Sequence, residues 1–108
     1  MSTTDINSVT LSGRLVRDPQ LRHVRDGRAV CDLRIAVNGS GDDVTYVDVT
    51  SFGKPAEACA QYLRKGRQVS VTGQLIYREW AASDGVRRSK HSVIGRVHFG
   101  PLQKATAS

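Results

Sequence analysis

The 108-residue sequence predicts an all-β fold, a five-stranded Greek-key barrel with one helix between the third and fourth strands. Three observations carry that expectation. Five segments alternate apolar and polar residues with the period of two that marks half-buried strands. One segment alone has helical spacing with matching end signals. The dipeptides Asp26-Gly27 and Asp84-Gly85 are tight-turn signals.

The first strand is VTLSGRLV, residues 9–16, with Val9, Leu11, Gly13 and Leu15 on one face and Asp18-Pro19 as its stop. Residues 21–24 are a candidate for a further short strand. In AVCDLRIAV, Cys31, Leu33, Ile35 and Val37 share a face opposite Asp32 and Arg34, and the segment forms a hairpin with the first pattern. The third strand, residues 44–52, sets Tyr46, Asp48, Thr50 and Phe52 against Val47, Val49 and Ser51. Aromatic and polar residues on one face are unusual for a core.

KPAEACAQYLRKG is the helix. Pro55 suits the first turn, where its missing N–H costs nothing. Ala56, Cys59, Ala60 and Leu63 make the apolar stripe, and Gly66 is the expected stop. The fourth strand, residues 68–78, points Val69, Val71, Gly73, Leu75 and Tyr77 one way. Trp80 keeps the opposite parity, that of Arg78, if the strand runs on without a bulge. The fifth strand covers residues 88–99. This order fits an OB-fold domain over residues 1–100, with a short tail at 101–108.

Composition narrows the function. The chain is long enough for one hydrophobic core, and 39% of it is hydrophobic. No apolar run is long enough to span a membrane, and the start MSTTDINS lacks a signal-peptide pattern, so a cytoplasmic, nucleoid-associated protein is expected. Cys31 and Cys59 read as buried free thiols, and no His or Cys cluster has metal-ligand spacing. His23, His91 and His98 have no evident triad partners. No enzyme activity and no cofactor are expected.

The net charge of +6 is uneven: residues 1–60 carry -1 and residues 61–108 carry +7. A basic half points to a polyanion. Trp80, Phe52 and Tyr46 are candidate stacking platforms for bases, although Phe52 and Tyr46 also have ordinary core readings. Arg78, Arg87, Arg88, Lys90 and Arg96 form a basic hairpin, Lys54, Arg64, Lys65 and Arg67 surround the helix, and Arg34 lies on an outer strand face. Together they suit a flexible single strand better than a duplex, since no helix is basic enough to fill a major groove.

These residues carry a resemblance. The stretches VTLSGRLVRDPQLRHVRDGRAVCDLRIAVN, VTYVDVTSFGKPAEACAQYLRKGRQVSVTGQLIYREW and DGVRRSKHSVIGRVHF resemble the bacterial-type single-stranded DNA-binding protein family over residues 7–99. The resemblance implies an OB-fold, a homotetramer built from dimers, and sequence-independent binding of single-stranded DNA in replication, recombination and repair. It implies base stacking by Trp80, Phe52 and Tyr46, backbone contacts by Lys54 and Lys65, and a recurrent basic residue at Arg22.

Departures accompany it. Tyr46 stands where members often have tryptophan, the loop 38–44 lacks an aromatic, and Glu79 stands where a basic residue is common. Weaker binding per subunit is the expectation. The family's Gly/Pro/Gln-rich linker and acidic tip do not follow residue 99, so no tail-mediated recruitment of repair enzymes is expected. Three other readings compete: a dimeric primosomal replication protein of the same fold, a protein-interaction module that buries these aromatics, and an RNA-binding barrel.

Overall fold

A computed structural model describes residues 5–99. The elements run β1 (Val9–Leu15), β2 (Gln20–His23), β3 (Ala29–Asn38), β4 (Val44–Phe52), α1 (Lys54–Tyr62), β5 (Gln68–Ala81) and β6 (Arg87–His98). The strands form one mixed sheet in the order β1-β5-β6-β4-β3-β2, with a further β1–β3 pairing. The arrangement is OB-fold-like, but the expected five-stranded barrel is corrected. Among the described residues there are six strands in one sheet, and the helix follows the fourth strand. The expected tail at 101–108 lies outside the described residues.

The sixth strand is β2, which pairs antiparallel with β3 from Gln20↔Asp32 to His23↔Ala29. All four of its residues are exposed, so it shows no apolar alternation. Its turn to β3 is the Asp26-Gly27 signal. Gly27 takes a φ of 89°, its N–H donates to the Val24 carbonyl at 2.8 Å, and the Asp26 carboxylate accepts from the Arg28 N–H at 2.9 Å. The expected hairpin of the first strand with β3 is also corrected. β1 meets β3 at Arg14↔Ala36 and Leu15↔Ile35 only, and its long partner is β5, from Val9↔Gly73 to Arg14↔Gln68.

The core follows the alternation. Leu33 and Ile35 of β3, Val49 of β4, Val69 and Val71 of β5 and Val93 and Val97 of β6 are buried, together with Leu15, Cys31, Ala56, Cys59 and Leu63. The helix stripe is therefore core. The helix itself stops at Tyr62, short of Gly66. Leu63 is already extended, and the Arg64 guanidinium donates to the carbonyls of Ala60 at 3.1 Å and Leu63 at 2.6 Å. Gly66 instead ties the following turn to β1, its N–H donating to the Leu15 carbonyl at 2.8 Å.

β5 and β6 run on as a long two-stranded arm past the core. They cross closely at Gly73↔Gly95. A Cβ on Gly73 would lie 2.2 Å from the Ile94 carbonyl oxygen, so only glycine fits there. β4 meets β6 through the one parallel pairing among the described residues, Val49↔Val93 and Thr50↔Ile94. That junction brings the outer face of β4 alongside one face of the arm.

Candidate nucleic-acid interface

Register decides which arm side chains share a face. Arg78 stands across from Lys90 and Trp80 across from Arg88, so by pleat these four lie on one face. Tyr77, Glu79, Arg87 and His91 lie on the other. The first face closes one side of a groove of about 480 Å³, lined by Arg78, Trp80, Lys90 and Ser92 from the arm. Arg17, Gln20, Arg22, Asp32, Leu33, Asp48, Val49 and Thr50 complete it.

Trp80 is 44% exposed at this groove and Tyr46 is 55% exposed on the same outer face of β4 as Asp48. Phe52, at the end of that face, is half-buried. Two of the rings carry a guanidinium: Arg34 stands 5.4 Å from the Tyr46 centroid and Arg28 stands 5.1 Å from that of Phe52. Such cation–π pairs hold a ring in place while leaving its other face open. The aromatic side of β4 expected from its alternation is thus an outer surface.

The groove also holds fixed ion pairs. Arg22 Nε lies 2.7 Å from an Asp32 oxygen, and the Thr50 hydroxyl donates to the other Asp32 oxygen at 3.2 Å. Asp48 bridges two strands, accepting from Arg34 Nη1 at 3.0 Å while its second oxygen lies 2.7 Å from Lys90 Nζ. Burial alone would raise the Asp48 carboxyl. Lys90 and Arg34 overcome that and hold it below the usual carboxylate range. Arg17 and Arg78 join none of the ion pairs among the described residues.

The expected site residues are thus partly gathered. Trp80, Arg78, Lys90 and Arg22 line the groove. Tyr46 and Arg34 extend it along β3 and β4, and Arg88 continues its arm face while bonded to Asp84 at 3.2 Å. Arg87 is on the opposite arm face, paired with Glu79 at 2.5 Å, and Tyr77 donates to the same carboxylate at 2.8 Å. Lys54 is exposed at the start of α1 beside Phe52. Lys65 is exposed in the turn after α1, its backbone N–H donating to Asp18 at 2.8 Å.

Sequence reading missed Arg17, Gln20 and Arg28. Arg17 and Gln20 flank the Asp18-Pro19 turn, whose path across the groove has no local signature. It also left the aspartates without a role, although the aspartate on the aromatic face of β4 was the available signal. Among the described residues no group of His, Cys, Asp or Glu is placed to hold a metal ion.

Residues 6–101 match the model of the single-strand binding protein family. A single-stranded DNA-binding protein of Wolinella succinogenes is 41% identical over 95 residues, spanning 81% of this chain and 59% of the relative. Those of Treponema pallidum and Clostridium perfringens are 41% and 39% identical, and the match spans 52% and 61% of their lengths. The chain therefore spans between half and two thirds of these curated relatives. With the family match covering nearly all of an OB-fold-like sheet, the chain belongs to the single-strand binding protein family.

Proposed function

We propose that the chain binds single-stranded DNA without sequence preference and protects it during replication, recombination and repair. The observation that carries this is the exposed Trp80 at the edge of a groove lined by Arg17, Arg22, Arg78 and Lys90. Bases stack on Trp80, Tyr46 and Phe52, a contact that every base offers and that is worth roughly 1–3 kcal/mol per base. Phosphates lie against Arg78, Arg17, Lys90, Arg22, Arg34 and Arg88, with Lys54 and Lys65 continuing the track around α1. The chain is a stoichiometric binder and takes no part in bond making.

Assembly into a homotetramer built from dimers belongs to the same proposal. Leu75 and Tyr77, on the arm face away from the groove, are exposed and offer apolar surface for a second copy. Light scattering is expected to give four times the 11.8 kDa chain mass. A dimer would favour a primosomal role instead. The protein acts on DNA in the cytoplasm; no helix among the described residues is long and apolar enough to cross a membrane.

Fluorescence polarisation of labelled oligo-dT, competed with duplex DNA and with oligo-rU of equal length, tests the binding claim. Oligo-dT is expected to outcompete duplex by at least tenfold. Equal competition by duplex, or no binding, would overturn the claim, and preference for oligo-rU would move the function to RNA.

A further inference from the structure

The groove proposed for DNA is not uniformly positive. Four cations line it, but two carboxylates stand among them and cancel half of that charge. Neither carboxylate is incidental. Asp48 is engaged by Arg34 and Lys90 together, and Asp32 by Arg22 and Thr50. Every one of these charged side chains reaches solvent, the cations more than the aspartates: Arg22 and Lys90 are 56% and 48% exposed, Asp32 and Asp48 31% and 20%. Pairs that reach solvent like these contribute only modestly to holding a fold together, the part-buried Asp48 pairs more than the Arg22–Asp32 pair. They are, however, placed where a phosphate would arrive.

Resting on the binding function proposed above, we infer that Asp32 and Asp48 are internal competitors of the DNA backbone, occupying the cations that would hold phosphates and so keeping the bound strand exchangeable. The chemistry is a substitution. A carboxylate and a phosphate oxygen accept the same charge-assisted bonds from guanidinium and ammonium donors. A phosphate that takes Lys90 or Arg22 must displace an aspartate already in place. The displaced carboxylate stays in the groove and repels the newcomer. Arg78 and Arg17, in none of these pairs, are the cations that engage phosphate without that cost.

The competing view makes the aspartates positioning residues that hold Lys90, Arg34 and Arg22 ready for DNA. The two views predict opposite results. Asp48→Asn and Asp32→Asn keep side-chain size and remove one negative charge each. Oligo-dT binding is measured for both variants and the unaltered chain across a range of salt concentrations. Internal competition predicts tighter binding at low salt, on the order of fivefold per variant from one removed charge–charge repulsion. It also predicts slower dissociation and a log K against log salt slope steeper by ~0.7 for each freed cation.

Weaker binding with an unchanged or shallower slope in both variants would overturn the inference and make the aspartates positioning residues. Thermal melts check folding. If Asp48→Asn fails to fold, Asp32→Asn carries the test from its more exposed site. The unaltered chain is measured first. Its failure to bind oligo-dT would overturn the proposed function and this inference with it. Binding by the unaltered chain with no gain in either variant overturns the inference alone.

Discussion

Arg78 lies directly across the β5–β6 ladder from Lys90, so two like charges face one another at the wall of the groove. Like charges directly opposite destabilise a strand pair, by roughly 0.2–1 kcal/mol. Lys90 finds Asp48, but Arg78 finds no ion-pair partner among the described residues. A polyanion lying along the groove would relieve the repulsion. The pair is thus a feature that the fold alone does not favour and that a bound polyanion would.

Arg78→Gln is therefore expected to raise stability and lower binding together. The melting temperature should rise by about 1–5 °C, following the few tenths of a kcal/mol removed. Oligo-dT binding should weaken, with a salt slope shallower by ~0.7. Thermal melts and salt titrations read the two effects separately. A drop in melting temperature would show that Arg78 serves the fold.

Arg87 and Arg88 are neighbours in sequence but lie on opposite faces of the arm. Arg88→Gln is expected to weaken oligo-dT binding several-fold, while Arg87→Gln changes it by less than twofold. Each arginine already has an acidic partner, Asp84 for Arg88 and Glu79 for Arg87, so the contrast isolates the face. Equal losses in binding measurements would mean that the strand wraps both faces.

Gly73→Ala tests the crossing that aims the arm. The new Cβ would meet the Ile94 carbonyl oxygen and the Gly95 Cα, backbone that has no room to yield. A loss of about 1–3 kcal/mol is expected from such overpacking. Chemical denaturation reads it. An unchanged midpoint would mean that β5 and β6 do not approach so closely.

Asp48 also gives a sign to the acid limb of stability. Burial raises its carboxyl, and Lys90 and Arg34 pull it back to a net value below the ordinary one. Its ion pairs thus contribute fully above the unfolded carboxylate value of about 3.9, and the contribution fades as pH falls through the lower folded value. The melting-temperature gap between the unaltered chain and Asp48→Asn should be widest near neutrality and close in strong acid. A gap constant with pH would contradict the ion-pair account.

Much of this was legible in the sequence because local periodicity records which face is wet. The β4 pattern separated Tyr46, Asp48, Thr50 and Phe52 from Val47, Val49 and Ser51, and burial follows it at Val49 and Ser51, while Val47 is half-buried like Asp48. Ala56, Cys59 and Leu63 declared the helix face in the same way. β2 was hard to read because all four of its residues face solvent, so no alternation marks it. The long β1 partnership with β5 joins residues far apart in the chain, which no local signal reports. The same limit hid the split between Arg87 and Arg88. It also hid the meeting of Asp48 with Lys90, which depends on the parallel junction of β4 and β6.

The central claim is that bases stack on Trp80 beside phosphates held in the groove. The chain has one tryptophan, so its emission reports that site alone. The measurement is Trp80 fluorescence during titration with oligo-dT at two salt concentrations. The account predicts strong quenching that saturates and needs more oligonucleotide at the higher salt. Oligonucleotide binding with Trp80 emission unchanged, or no salt-dependent binding, would contradict it.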